Sequence, residues 1–405
     1  MRKSPMFVCA LTMMALMTAC KDQAQYGEYE SITLSHISEE GDLTKIAYDF
    51  KIHPLKSSDP IDGIGGIKCW DDVWLARTND SRKILRFDNY ELTSVLDRLG
   101  RGPGEYYFIE DFSYDKANNC LYIENDSTLV TYDATTLEFK GKQPVNINIQ
   151  NILNVGDKML YFGWFLDAYN RNSNGEVFRN PNESMVLVDR DERDLRKGVE
   201  LYTETSNERS IFGYPELFFV NPKNYSTCLP GVITRIVTFD ETGTTDVYRF
   251  KLGAGPVSAD INELLEREFD DTDIMALINY YSDLSIALGD EPRINQVYNI
   301  MVDGKTISFR ARYNNDGSLG SYSQYLYFVR NEKGTKAYKH LRIPGLTMDV
   351  DPTGANGNHQ IAIIENLGDM AISESEPMSD LAEQIIAELK KQNDDNPVVL
   401  EFRFK

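Results

Sequence analysis

LGRGPGEY, residues 99–106, sets three glycines, Gly100, Gly102 and Gly104, around an arginine and a proline. Two readings compete for such a stretch. A phosphate-cradling loop aims successive backbone N–H groups at an anion and opens into a helix whose N-terminal dipole helps hold the charge. A structural turn uses the same glycines only for their backbone freedom. The residues that follow, IEDFSYDKANNCLYIENDSTLVTYDATTLEF (109–139), alternate Tyr, Phe, Ile, Val and Thr with polar residues and are broken by Asn and Asp pairs. That is strand-and-turn chemistry, without the helix that a phosphate loop needs. Pro103 also removes one donor from any nest.

The stretch has a second copy. LGAGP at 252–256 repeats LGRGP at 99–103, a distance of 153 residues or three units of 51. Each follows a strand that closes a hairpin, DNYELTSVLDR before the first and TGTTDVYRFK before the second. VWLARTNDSRKILRFDNYEL (73–92) lies over LYIENDSTLVTYDATTLEF (121–139), with Asp88 matching Asp133. The same strand, Asp or Asn turn and strand recur in MVLVDRDERDL, RIVTFDETGTTDVYRF and YLYFVRNEKGTKAYKHL, turning at Asp189, Asp240 and Asn331. Gly243 and Gly334 fall three positions after the last two, where a type I turn with a G1 bulge calls for positive φ. Repeats of about 45–50 residues, each able to form a four-stranded meander, are the signature of a β-propeller. LGRGPGEY then sits where the chain leaves the outer strand of one blade for the inner strand of the next, and is a blade connector.

The predicted fold is all-β, a six-bladed β-propeller over residues 46–405 with small helical insertions. Five units fall near 64–99, 109–145, 149–202, 216–252 and 297–343, and MDVDPTGANGNHQIAIIEN begins a sixth that is short of strands. VVLEFRFK (398–405) and IAYDFKI (46–52) both alternate as strands do and supply them, so N- and C-terminal strands close the ring and remove open sheet edges. Asp260 and Glu263 form a capping box before a stripe at Ile261, Leu264, Leu265 and Phe269. A second stripe at Ile274, Leu277, Ile278 and Tyr281 completes a helical insertion over 258–290, expected to cap one face of the disc. A third helix, LAEQIIAELKKQ, spans 381–392.

The chain begins MRKSPMFVCALTMMALMTAC. A basic start, an apolar run too short to span a bilayer comfortably and small residues before Cys20 read as a signal peptide over 1–19. The ending resembles a bacterial lipobox, with Met17 where Leu is usual, so Cys20 is the expected lipidation site and 20–45 a tether. Loss of Arg2 and Lys3 with that peptide takes the formal charge from −21 to −23, which repels polyanions and argues against a nucleic-acid partner. Cys9 leaves with the signal, and Cys69, Cys120 and Cys228 remain, without metal spacing and with room for at most one disulfide.

On the lipobox at Cys20, LGRGPGEY followed by IEDFSYDKANNCLYI, and the terminal NPVVLEFRFK, the chain resembles the six-bladed β-propeller lipoproteins of Gram-negative bacteria, distantly akin to NHL-repeat propellers. The resemblance implies a fold and a place in the cell envelope, as an outer-membrane lipoprotein facing the periplasm or the surface. It implies no activity, because propellers host binding, scaffolding and catalysis alike.

Catalytic signatures are absent from the sequence. His36, His53, His340 and His359 are scattered, and neither HExxH nor GxSxG occurs. DETGTTD (240–246) has oxygens at alternate positions as a calcium loop would, but it lacks the distal acid and sits in a hairpin turn. Glu110 with Asp111 is one of several acidic pairs, whose neighbours a strand sends to opposite faces. Aromatic residues are the better lead. YFGWFLDAYNRNSNGEVFRNPNES places Trp164, Tyr169, Arg171 and Phe178 in a polar insertion that the repeat does not require, and Tyr214, Arg312 and Tyr313 are candidates for the same face. Aromatic planes beside Arg and Asn suit sugars or peptides. The expected function is a lipid-anchored, non-catalytic module that binds a carbohydrate, a peptide or another envelope protein. The alternative is a calcium-dependent propeller hydrolase or lyase; no catalytic residue, metal ligand or cofactor other than calcium is assigned.

Overall fold

A computed structural model describes residues 29–32, 37–58, 60–61, 63–70, 72–125, 127–165, 169–171, 177–179, 183–203, 219–220, 225–229, 233–253, 257–267, 274–289, 292–314, 324–365, 372–373, 376–391 and 396–405. Six antiparallel blades form the ring. In chain order from the axis outward, blade 1 is Ile64–Trp70, Val73–Thr78, Ile84–Asp88 and Glu91–Leu96. Blade 2 is Phe112–Asp115, Cys120–Asn125, Thr128–Asp133 and Phe139–Pro144, and blade 3 is Ile147–Val155, Lys158–Phe165, Glu183–Asp189 and Val199–Thr203. Blade 4 is Phe219–Val220, Tyr225–Leu229, Thr234–Asp240 and Gly243–Leu252, and blade 5 is Arg293–Asp303, Thr306–Asn314, Gln324–Asn331 and Gly334–Arg342. Blade 6 combines Pro352–Asn356 and His359–Ile364 with the C-terminal strand Val398–Phe404 and, outermost, the N-terminal strand Ala47–Pro54.

Both faces of a blade pack on neighbours, and this shapes the sequence. Hydrophobic clusters fill the seams between successive blades all the way round, including the seam from blade 6 back to blade 1. Strands two and three of a blade are therefore apolar on both sides, as in Val73–Ala76 and Leu121–Ile123, and do not alternate cleanly with polar residues. Gly243 and Gly334 hold the positive φ that their turns require, at 134° and 107°.

The segment read as a tether is, in its described part, structural. Glu30–Ile32 joins the outer edge of blade 4 and Ile37–Asp42 that of blade 5, each as a parallel fifth strand. Gly253 N–H donates to Ile32 O at 2.8 Å. The Glu30 carboxylate accepts from Arg330 Nε at 2.7 Å and from the Thr335 hydroxyl at 2.5 Å, which ties blade 4 to blade 5. Asp42 then caps the short helix α1 (Leu43–Ile46), and the chain enters blade 6.

Closure between blades 6 and 1 joins segments from both ends of the chain. Tyr90 donates its hydroxyl to Glu401 Oε1 at 2.8 Å, and Asn356 Nδ2 donates to the same oxygen at 3.1 Å. The His53 ring stacks on Tyr90 with centroids 3.9 Å apart and planes 8° apart. Lys56 bridges to the third-to-outer turn of blade 1 through Lys56 N–H to Tyr90 O and Leu92 N–H to Lys56 O. Burial, together with Glu401, pushes the Tyr90 hydroxyl pKa up, so it stays a donor to Glu401.

The helices are short. α2 (Ala259–Glu266) starts at Ser258, whose hydroxyl accepts from Ile261 N–H, and with α3 (Ile274–Leu288) it buries Ile261, Leu264, Tyr280, Leu284 and Leu288 against Ile233 and Val257. Ser258 thus holds the capping position expected of Asp260. α4 (Asp380–Lys391) buries Leu381, Ala382, Ile385, Ile386 and Leu389 beside blades 5 and 6. Among the described residues, no helix is long and apolar enough to cross a membrane.

Candidate functional site

Strand order divides the disc into two unlike faces. With four antiparallel strands per blade, the turns from first to second and from third to fourth strand lie on one face. The turns from second to third strand and the connectors between blades lie on the other. The first face is made of tight hairpins, among them Asn89–Tyr90, Gly156–Asp157, Glu241–Thr242, Gly304–Lys305, Glu332–Lys333 and Gly357–Asn358, and its longest link is 190–198. The strand ends that bound every link longer than nine residues open on the second face: those of 97–111, 166–182, 204–218, 253–292, which carries α2 and α3, and 365–397, which carries α4. Rigid strands that present variable loops are the usual platform for recognition.

LGRGPGEY lies on this loop face and is occupied by its own side chains. The Glu105 carboxylate accepts from Gly102 N–H at 2.7 Å, and Glu105 N–H donates back to Gly102 O. The amide that a phosphate would take is thus satisfied internally. Tyr106, fully buried, donates its hydroxyl to Arg82 O and accepts from Arg98 N–H, and Tyr132 donates to Gly104 O at 2.9 Å. Gly104 has φ 71°, and a Cβ there would sit 2.6 Å from the Phe139 ring, so the position demands glycine. Just beyond, Tyr107 and Phe108 are about half exposed beside Leu99, with the Arg101 guanidinium 5.7 Å from the Tyr107 ring.

A second group lies where blades 5 and 6 meet. Arg310 and Arg312 share a face of the second strand of blade 5; Tyr298 and Gln296 oppose them on the inner strand, and Tyr327 and Tyr325 on the third. The Arg310 guanidinium lies 4.2 Å from the Tyr325 ring and 5.6 Å from the Tyr327 ring, and pairs with Asp351 at 3.4 Å. The Tyr327 hydroxyl also donates to Asp351. Burial raises the Asp351 pKa while Arg310 pulls it down. Arg312 is exposed and, among the described residues, has no hydrogen-bond or ion-pair partner.

The residues singled out from sequence are not gathered into one described site. Cys20 and Tyr214 lie outside the described residues. Trp164 lies one residue before the loop-face end of the second strand of blade 3, opposite Glu183. Tyr169, Arg171 and Phe178 fall on a separate hairpin, Tyr169–Arg171 with Val177–Arg179, in which Phe178 pairs with Asn170 and so alternates with Tyr169 and Arg171. Arg312 reaches solvent, but Tyr313 is buried in the blade 4–5 seam at 2% exposure and serves packing. Asp111 does not reach toward a metal: Lys68 Nζ pairs with it at 2.5 Å, and Ile152 N–H donates to it at 2.9 Å, which pins the inner strands of blades 1, 2 and 3 together. Asp240 accepts from Thr242 N–H and hydroxyl, an Asx turn where a calcium loop was considered. Among the described residues, no three His, Cys, Asp or Glu side chains converge as metal ligands, and Cys69, Cys120 and Cys228 are free thiols. Tyr107, Phe108, Tyr298 and Tyr325 were missed. For the first two the signal was present: a connector needs one buried tyrosine, and YYF supplies two further aromatics.

A family model described as 6-bladed beta-propeller (DUF5128) matches residues 22–228. No curated protein matches the chain. Among solved structures, a Bacteroides fragilis protein described as exported is similar at 15% identity and a TM-score of 0.60, covering 91% of this chain and 99% of that one. A member of the DUF4221 family from Bacteroides vulgatus is similar at 10% identity and a TM-score of 0.42, covering 89% and 98%.

Proposed function

From the chain's membership of the 6-bladed beta-propeller family, we propose that it is an exported, lipid-anchored binding module of the cell envelope, held at an outer membrane through Cys20 and recognising a carbohydrate, a peptide or another envelope protein on its loop face. One observation carries the reading. The strand ends that bound every link longer than nine residues open on the same side of the ring, and the exposed aromatics Tyr107 and Phe108, and Arg312, which has no partner among the described residues, lie on that side too. Tight hairpins on the other side leave little to vary. The signal-like start, the small residues before Cys20 and the description of the B. fragilis protein as exported support the location.

The test has two arms. Purified protein is screened against a panel of saccharides and peptides, and each ligand found is retested with Tyr107→Ser/Phe108→Ser and with Arg312→Gln. Binding that weakens in one of these variants supports the loop face; binding indifferent to both, or no binding to any member, counts against it. For the anchor, Cys20→Ala is expected to lose membrane fractionation and incorporation of labelled fatty acid. Retention of both sinks the lipoprotein reading.

A further inference from the structure

We propose that the cleft between blades 5 and 6 binds a carboxylate-bearing saccharide, with Arg312 holding the carboxylate and Tyr325 the sugar ring; this deepens the loop-face reading and rests on it. The cleft is a ladder of arginine and tyrosine. Its deeper rung, Tyr298–Arg310–Tyr327, is charge-paired, because the Arg310 guanidinium covers the Tyr325 and Tyr327 rings and is neutralised by Asp351, which also receives the Tyr327 hydroxyl. Its outer rung, Gln296–Arg312–Tyr325, is not. Arg312 is exposed and without a partner among the described residues, and Tyr325 is 40% exposed. Both stand at strand ends that open on the loop face, with Asp351 at the start of blade 6 closing the far wall.

The spacing selects the ligand. Directly opposed residues on paired strands hold their Cβ atoms about 5 Å apart, so a guanidinium fork without a partner among the described residues stands beside a half-exposed aromatic ring that Arg310 covers on one face. A uronic acid carries its carboxylate one bond from a ring with a flat C–H face. That ring can lie on Tyr325 while two Arg312 N–H groups donate to the two carboxylate oxygens. Asp351 and Gln296 remain as partners for hydroxyls. An acidic peptide holds its carboxylate on one or two methylenes and has no such face. In a chain of net charge −21, Arg312 leaves one uncompensated positive charge beside the paired Arg310 and Asp351. That favours a short ligand with a few carboxylates over a long polyanion, which the remaining surface repels.

Titration calorimetry with a galacturonic acid trimer, the same trimer with its carboxyls reduced, and a glutamate-rich peptide tests the assignment. The trimer is expected to bind, the reduced trimer to bind at least tenfold more weakly, and Arg312→Gln to weaken the acidic trimer at least tenfold without changing the melting temperature. Tyr325→Ala is expected to weaken both sugars by the same factor, because it removes the ring and leaves the fork. Equal affinity for the two trimers, indifference to Arg312→Gln, preference for the peptide, or no binding of the acidic trimer overturns the proposal. Any of these leaves the wider reading intact if a panel ligand still depends on Tyr107 and Phe108, so the two failures are told apart.

Discussion

The seam between blades 6 and 1 and the cleft between blades 5 and 6 use the same side-chain types to different ends. Each sets tyrosines, a carboxylate and a base between two blades. At the first, Glu401 is 1% exposed and receives Tyr90 and Asn356, while His53 stacks on Tyr90. Glu401 there has its donors, and the segments it joins come from opposite ends of the chain. At the second, toward the loop face, only the deep half is closed, and Arg312 with Tyr325 faces water. A satisfied buried network fixes a structure; a half-open one keeps donors available for a ligand. The difference lies in exposure: Glu401 is buried, whereas Arg312 and Tyr325 are open to solvent.

The largest break in this comparison comes from the seam itself. Deleting residues 397–405 removes the strand that lies between His359–Ile364 and Ala47–Pro54, including Val398, Val399, Leu400 and Phe402, all fully buried. Truncating one large buried side chain costs about 2–5 kcal/mol. For four such side chains the loss, about 8–20 kcal/mol, is as large as the roughly 5–15 kcal/mol that holds a typical domain. Loss of the cooperative melt and rapid proteolysis are expected; a wild-type melting temperature would mean that the ring closes without this strand.

Glu401→Ala is the next largest, at about 3 kcal/mol, because it leaves the Tyr90 hydroxyl and the Asn356 amide without their acceptor. Tyr90→Phe combined with it should cost less than the two changes summed, with a coupling of about 1 kcal/mol in chemical denaturation. Simple additivity would show that the 2.8 Å bond contributes nothing of its own.

How much of this was legible beforehand depends on the physical signal. The connector at 99–106 was readable because glycine at a forced backbone position leaves a mark that packing does not blur, as Gly104 shows; of its repeat, 254–256 lie outside the described residues. The closing strands Val398–Phe404 and Ala47–Pro54 were readable from their apolar pattern. The fifth strands were not. ESI and ISEEGD are short and largely polar, and they join parallel edges through backbone bonds that any sequence can make. The site was harder still. Arg312 and Tyr313 are neighbours, so the strand sends one out and one in, and because blade faces are buried by their neighbours, hydrophobicity alone does not say which. Only register shows that Arg312 stands opposite Tyr325.

Gly104→Val tests the loop-face connector and should cost about 2 kcal/mol or more. A β-branched residue at φ 71° is strained, and its Cβ meets the Phe139 ring at 2.6 Å. Thermal melts measure it. A neutral result would mean that the turn relaxes freely and that LGRGPGEY does not hold blade 2 in place.

A smaller effect follows from protonation at the closing seam. Burial lowers the His53 pKa below its ordinary 6.5, with Glu401 opposing and Lys51 adding to the shift. The unfolded chain therefore takes up a proton that the native ring resists. Stability is full above pH 6.5 and falls as pH drops from there toward the native pKa. One group gives a slope of at most about 1.4 kcal/mol per pH unit, and less here because His53 is partly exposed. His53→Gln should flatten the difference in stability between about pH 7 and 5; an unchanged slope would assign the acid sensitivity to other groups.

The smallest expected effect is the sharpest for the comparison. Arg312→Gln should alter folding stability by no more than about 0.5 kcal/mol, as exposed substitutions without partners usually do. Glu401 and Arg312 are both charged groups between blades, but one is at 1% exposure with two donors on it and the other is exposed with none among the described residues. If the open cleft is kept for a ligand, its free charge adds nothing to the fold. A melting temperature in Arg312→Gln as low as in Glu401→Ala would mean that Arg312 holds blades 5 and 6 together, as Glu401 holds blades 6 and 1. The two seams would then do the same job, and the distinction between a closing face and a binding face would fail at the residue chosen to carry it.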